Sequence, residues 1–525
     1  MYVRCRVVAL CFMVGVVAWS APLAAQDGAP KEAQDGAPKK APLTPEEKAR
    51  VEKDRKAAAA AAEAQKQTWL TVYKPTHVPD RVILTWNGDP ATSQAVTWRT
   101  ATTVTKAVGQ IALSEGGPGH DPLTAKTRPV AEKVTTVAAK TEFLRSDLFE
   151  ANYHSVTFTQ LKPKTRYVYR VGDGSTWSEW FEFQTASDRP EPLRFIYFGD
   201  AQNEVKSHWS RVVRGAYSDM PKAHFILHAG DLINRANADG EWGEWHQAAG
   251  WINGMVPVVA TPGNHEYGAP PGTSAKVDAK ADGNEPKKEA RKGRLSVNWR
   301  PQFTLPENGL PGLEESVYYF DIQGVRVISL NSNERQEDQV PWLERVLANN
   351  PNTWTVVTFH HPIYSTAKGR DNTKLRELWR PLFDTYTPDL ILQGHDHTYG
   401  RSGVMREDNV LTGARLRDEK GSVYVVSVSG PKMYHLEKED WMQSSAADTQ
   451  LYQLITIDGD TLHYEARTAN GTLYDTFDLT KAPPAPESQA DAPGGFGVGA
   501  WVAVGVVAAV VGLLAIRRVI RRAAA

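Results

Sequence analysis

Leu390-Ile391-Leu392-Gln393-Gly394-His395-Asp396-His397 decides how this chain is read. An apolar, β-prone run comes first, a glycine ends it, and two imidazoles follow. Such a run suits a strand buried on both faces of a helix-flanked sheet. Side chains of an extended segment alternate with period two, so His395 and His397 share one side. The same design recurs upstream. Phe195-Ile196-Tyr197-Phe198 leads into Gly199-Asp200, and Phe225-Ile226-Leu227 leads toward Gly230-Asp231. Val256 to Thr261 precedes Gly263-Asn264-His265-Glu266, and Trp354 to Val357 precedes His360-His361. Singly, a Gly-Asp pair is a turn and an Asn-His pair a loop. Together they place carboxylate, amide and imidazole donors at strand ends, where ligands gather in open α/β sheets. Asp200, Asp231, Asn264, His360, His395 and His397 are the oxygen and nitrogen donors that hard or borderline metals prefer.

The order of these motifs resembles the metallophosphoesterase (calcineurin-like phosphoesterase) superfamily and, within it, the purple acid phosphatases. The resemblance covers about residues 78–480. It implies an α/β catalytic domain in which two mixed β-sheets form a sandwich flanked by helices. It also implies two metal ions. One would be held by Asp200, Asp231 and His397, the other by Asp231, Asn264, His360 and His395, with Asp231 bridging. The family's Gly-Asp-x-x-Tyr motif stands here as Gly230-Asp231-Leu232-Ile233-Asn234. Asn234 offers a neutral amide where the family has a tyrosinate. Obligatory Fe(III) and a purple colour are therefore not expected, and divalent Fe, Mn or Zn is. A wider branch places a histidine where this chain has Gln202. Water, Gln202 or Asn234 would complete the first metal.

A two-metal site clamps the attacking and leaving oxygens of an in-line displacement and lowers the pKa of bound water. The expected reaction is hydrolysis of phosphate monoesters by metal-bound hydroxide. By resemblance His265 protonates the leaving alkoxide; the other reading is a hydrogen bond to a ligand. Candidate phosphate contacts are His361 and Arg401. Orienting His360, and an ordinary salt bridge, are their respective alternatives. His228 reads as a core histidine. Trp209 and Trp251 read as packing residues, and Trp242 and Trp245 as candidates for the rim of the mouth.

The surroundings suggest an exported enzyme. The expected organisation is a signal peptide over 1–25, then a spacer with a charged Ala-rich helix over 26–77. A fibronectin type III-like domain (78–186) and the catalytic domain (193–480) come next. A linker (481–495), a transmembrane or sorting segment (496–516) and a basic cytoplasmic tail (517–525) close the chain. A retained anchor and a tail cut by a sorting protease both fit. The only cysteines, Cys5 and Cys11, lie in the signal segment, so the exported part has neither disulfides nor thiolate ligands. Net charge is −1, which names no nucleic-acid partner. A Gly-, Pro- and Lys-rich insertion spans 268–300. Two other readings stay open: a phosphodiesterase or nucleotidase with the same metals, and a surface-binding protein with a degenerate site.

Overall fold

A computed structural model describes residues 44–117, 134–269, 293–407, 409–412 and 420–481. Residues 1–64 and 65–525 form separate units. The described part of the first is helical from Pro45 onward. Its start is a reciprocal cap: the Glu47 N–H donates to Thr44 Oγ1 at 3.2 Å, and the Thr44 N–H to the Glu47 carboxylate at 2.8 Å. The helix continues to Val72. Among the described residues no helix is long and apolar enough to cross a membrane. The expected signal segment, the apolar run 496–516 and most of the 268–300 insertion lie outside them.

In the second unit, eight short strands between Asp80 and Gln184 make two four-stranded antiparallel sheets. Trp98, Phe158, Tyr169 and Phe183 fill the space between them. Tyr167 closes the corner expected of such a module: its hydroxyl accepts the Lys162 N–H at 2.9 Å.

From Leu193 on, the chain builds two mixed sheets. In the first, the strands Leu193–Phe198, Phe225–His228 and Val258–Ala260 run parallel. Leu451–Asp458 pairs antiparallel with the first of them, and Thr461–Thr468 and Leu473–Thr480 extend that edge. In the second, Val325–Ser329, Trp354–Thr358, Leu390–Gln393 and Ser422–Val426 run parallel. Tyr318–Ile322 and Tyr399–Arg406 flank this set antiparallel.

Alternation explains the layering. Val356, Leu390 and Leu392 join Phe195, Tyr197 and Leu227 in the core between the sheets. Their neighbours Val357 and Ile391 point outward, into a second core with Leu343, Trp379 and Phe383. Those last three belong to the helices Gln336–Ala348 and Thr373–Tyr386. The helices Ser210–Asp219 and Asp239–Ala249 supply Val212, Val213, Trp242 and Trp245 to the first core. Trp242 and Trp245 are thus fully buried packing residues, not rim residues. Trp251 is 53% exposed instead of packed inside, because the helix ends before it and a 3-10 turn carries it outward.

The β-module and the sheets are joined by buried charge. Arg81 donates to both carboxylate oxygens of Asp239 at 3.0 Å, and Arg99 reaches the same carboxylate at 3.4 Å. All three side chains are inaccessible to water. Breaking such a pair leaves an uncompensated buried charge, so Asp239→Ala is expected to lower unfolding stability by about 3–5 kcal/mol. Urea titration followed by tryptophan fluorescence measures it; a loss below about 1 kcal/mol would contradict this account of the joint.

Candidate metal centre

Every donor flagged in the sequence sits just past the C-terminal end of a parallel strand. Asp200 follows Leu193–Phe198, Asp231 follows Phe225–His228, and Asn264 follows Val258–Ala260. His360 follows Trp354–Thr358, while His395 and His397 follow Leu390–Gln393. The two sheets are stitched at these ends. Asp200 bridges to Val428 in parallel register, the Asp200 carbonyl accepts the Gly430 N–H at 2.6 Å, and the Tyr197 hydroxyl donates to the Gln393 carbonyl.

Tight turns aim the ligands inward. Asp231, His395 and His397 all have positive φ (52°, 75° and 48°), a conformation costly for residues with a Cβ and concentrated at functional sites. Glycines before Asp231 and His395 permit the close approach of these turns to other ligands. A Cβ on Gly230 would lie 2.7 Å from the His360 ring, and one on Gly394 would lie 2.2 Å from the Asp200 carboxylate.

Two donor sets result. In the first, His397 Nε2 lies 3.0 Å from Asp200 Oδ2, and the Gln202 amide lies 3.0 Å from Asp231 Oδ2 and 2.9 Å from His397 Nε2. In the second, Asn264 Oδ1 lies 3.0 Å from His360 Nε2 and 2.9 Å from His395 Nδ1, and those two nitrogens are 3.1 Å apart. Asp231 Oδ2 is also 3.2 Å from His360 Nε2, so one oxygen touches both sets. Both groups are compact enough to hold a metal ion: Asp200, Asp231 and His397 in one, His360, His361 and His395 in the other.

The donor chemistry fits a pair of cations. Ligand atoms about 2.1 Å from an octahedral metal are about 3.0 Å from one another, which is the spacing seen in both sets. Two buried oxygens of the first set's residues are left over: Asp200 Oδ2 and Gln202 Oε1 have no hydrogen-bond partner. The side-chain amide of Gln202, turned over, would offer Oε1 to the first set. Tautomers are set from outside. His360 Nδ1 donates to the Ala229 carbonyl at 2.9 Å and His397 Nδ1 to the Lys432 carbonyl at 2.8 Å, which turns both Nε2 lone pairs inward.

Electrostatics shows the same demand for positive charge. Burial alone would depress His360, but Asp231 and Asp200 push it up to about 9. Burial alone would raise Asp231, but the imidazoles of His360 and His265 hold it well below the usual carboxylate range. His361 is pushed down to about 3, first by burial and then by His360.

His265 donates its backbone N–H to Asp231 Oδ1 at 2.8 Å and bonds through Nδ1 to the Asn234 carbonyl at 2.5 Å. Asn234 thus meets His265 through its backbone. Gln202, not Asn234, has its side chain between Asp231 and His397. His361 bonds Ser332 through Nδ1 at 2.9 Å, and its ring centroid is 4.3 Å from that of His395. Arg401 is turned to structure instead of phosphate. It is buried and grips both oxygens of Asp475 at 2.6 and 3.0 Å, because the strand carrying it lies beside the Leu473–Thr480 edge.

Sequence reasoning missed Glu266 as a positioning residue. Its buried carboxylate accepts the N–H groups of Asp231, Leu232 and Gly263 at 2.7–2.8 Å. Burial and the Asp231 charge raise it to about 8. The signal was present in Gly263-Asn264-His265-Glu266: an acid three residues past a turn glycine is where a capping carboxylate belongs.

A metal needs neutral imidazole at His360, whose folded value is above neutrality. Metal binding at pH 7 must therefore expel a proton, and affinity should rise with pH up to about 9. Titration calorimetry in buffers of different ionisation enthalpy counts that proton; an affinity that stays flat from pH 6 to pH 9 would contradict the assignment.

Residues 79–185 match the model for "Purple acid Phosphatase, N-terminal domain", and residues 193–399 match "Calcineurin-like phosphoesterase". An uncharacterised protein of Mycobacterium tuberculosis is 26% identical over 364 residues, 62% of this chain and 62% of its own length. Acid phosphatase type 7 of Homo sapiens is 24% identical over 389 residues, 68% of this chain and 78% of that protein. Among solved structures, the purple acid phosphatase PPD1 of yellow lupin (Lupinus luteus) seeds superposes with a TM-score of 0.63. It is 18% identical, and the match covers 77% of this chain and 75% of that one, a likeness of fold.

Proposed function

We propose, on the premise that this chain is a purple acid phosphatase-like member of the calcineurin-like phosphoesterases, that it hydrolyses phosphate monoesters with two divalent metal ions. The observation that carries the reading is Asp231 Oδ2, one oxygen common to two donor sets. Asp200, Asp231, His397 and Gln202 would hold one ion, and Asp231, Asn264, His360 and His395 the other. When bound, the pair supplies an activated water and charge stabilisation for the phosphoryl group in flight. Fe, Mn and Zn all suit this donor set, which lacks a phenolate at position 234.

The chain's own residues supply the rest. His265 is the proton donor to the leaving alkoxide. Its Nδ1 is committed to the Asn234 carbonyl, so Nε2 is the nitrogen that exchanges a proton with substrate. The Asp231 carboxylate receives the His265 backbone N–H and so keeps the acid in register with the metals. Glu266 is a positioning residue that holds the turn bearing Asp231 against the turn bearing Asn264.

Export and attachment at the cell envelope through residues 496–516 complete the proposal, with the span either retained or cut by a sorting protease. Support comes from the uncharged apolar run and the arginines at 517, 518, 521 and 522. Removing residues 496–525 should release the protein from the membrane fraction, and unchanged fractionation would refute the anchor.

The central test is turnover of p-nitrophenyl phosphate beside its bis-ester, with metal counted by mass spectrometry. Wild type should hold two metals and favour the monoester; faster bis-ester cleavage would make it a diesterase. Asp231→Ala should lose both ions and all turnover, whereas His265→Ala should keep both ions and slow esters of poor leaving groups by about 10²–10⁴-fold. A correctly folded wild type with neither metal nor turnover would leave a binding protein.

A further inference from the structure

Arg401 was the sequence's candidate for gripping phosphate, and it is spent on Asp475. Another arginine stands beside the ligands. Asp396 lies between His395 and His397, and its carboxylate accepts the N–H groups of Thr366 at 2.7 Å and Ala367 at 3.3 Å. The loop so anchored is stitched to residues 435–437. Lys368 N–H donates to the His435 carbonyl, Glu437 N–H to the Thr366 carbonyl, and Gly369 N–H to the Glu437 carboxylate. At its end comes Arg370.

The Arg370 guanidinium returns over the metal ligands. Nη1 is 3.4 Å from the His395 carbonyl and 3.6 Å from Asp396 Oδ1. Its guanidinium carbon lies over the Tyr434 ring, 4.5 Å from the centroid. The Tyr434 ring in turn rests on the imidazole of His397, 4.6 Å between centroids. Tyr434 is fixed by its own backbone, since its N–H donates to the His397 carbonyl at 3.2 Å. Lys432 brings a second cation to the same ring at 5.2 Å, and its carbonyl receives His397 Nδ1. Arg370 and Tyr434 therefore span from His395 of one donor set to His397 of the other. The side chain keeps 22% of its surface open.

We propose that Arg370 is a substrate-binding residue that takes the non-bridging oxygens of the phosphoryl group, and that Tyr434 is the positioning residue that holds its guanidinium flat. The inference rests on the phosphoesterase reading and adds to it. A planar fork matches two phosphate oxygens, which an ammonium cannot do. An aromatic face beneath the guanidinium fixes its plane without using its N–H groups. The wall thus favours a dianionic phosphoryl end, as in a monoester, over the monoanionic phosphoryl of a diester.

The test uses the full chain loaded with metal, with inorganic phosphate as the calorimetric probe. In Arg370→Ala the phosphate dissociation constant should rise by about ten- to hundredfold, the range expected for a charge-assisted hydrogen-bonded pair. KM for p-nitrophenyl phosphate should rise in parallel, while KM for the bis-ester changes little. Metal content should equal that of wild type. Arg370→Lys should recover only part of the affinity. Tyr434→Leu should weaken phosphate as Arg370→Ala does, and Tyr434→Phe should restore it, which a merely structural role for the hydroxyl would not allow. If Arg370→Ala and Arg370→Lys bind phosphate within twofold of wild type while wild type hydrolyses the ester, Arg370 has no substrate role and the phosphoesterase reading stands. Loss of metal in step with loss of phosphate would make Arg370 a support for His395 and would also overturn the proposal. A folded wild type that binds neither metal nor phosphate would remove the reading and this inference together.

Discussion

The site depends on one buried carboxylate that never faces the reaction. Glu266 collects the N–H groups of Asp231, Leu232 and Gly263, and by doing so clamps two strand-end turns face to face. Asp231 can then hold a positive φ that an aspartate in a free turn would leave. That conformation is what sets Asp231 Oδ2 against His360 on one side and Gln202 on the other. Three backbone donors at such distances offset part of the desolvation of Glu266, and burial with the Asp231 charge still raises it to about 8. With the clamp removed, the donors on each side would survive, but the oxygen common to both would move.

Around this clamp the chain concentrates unsatisfied charge. Asp200 and Asp231 are buried side by side with three imidazoles, and His360 answers by holding a proton up to about pH 9. A proton neutralises only part of this field, and it leaves Asp200 Oδ2 and Gln202 Oε1 without partners. Two divalent ions would satisfy the carboxylates, the amides and the imidazoles at once. The strain at Asp231, His395 and His397 belongs to the same arrangement: close ligands from different strands converge only if the turns are tighter than ordinary residues prefer.

Much of this was legible in the sequence, because the features are local and periodic. Strand runs such as Leu390-Ile391-Leu392 are apolar on both faces and short, and each is followed within a few residues by a donor, in most cases after a glycine, so strand, turn and ligand are read together. What failed was whatever depended on which elements meet. Arg401 follows the histidine pair by only four residues, yet its strand delivers it to Asp475 on the neighbouring sheet. Arg370 and Tyr434 carry no motif, and only the tertiary path brings them together at His395 and His397. Trp242 and Trp245 looked available for a mouth because tryptophan suits both rims and cores. The packing of the Asp239–Ala249 helix decided for the core. Between Asn234 and Gln202, both neutral amides, sequence could not choose. In the structure it is the Gln202 amide that approaches Asp231 and His397.

The β-module is tied into this geometry by an unbroken series of contacts. Arg81 and Arg99, on two of its strands, hold Asp239 at the start of a helix. Two residues later Glu241 accepts the N–H groups of Asn234 at 2.9 Å and Arg235 at 2.7 Å. The Asn234 carbonyl in turn receives His265 Nδ1. Each link is a hydrogen bond, and the first is a charged pair shielded from water, where such bonds are strongest and least tolerant of slack. Trp69 and Tyr73 brace the same helix from outside, through Glu244 at 2.9 Å and Gln247 at 2.8 Å. The acid that would deliver the proton is therefore positioned from two directions: by the metal ligand Asp231 through its backbone N–H, and by the β-module through its ring. A domain that contributes no ligand still fixes where the imidazole stands, which gives a physical reason for the two domains to be built as one unit.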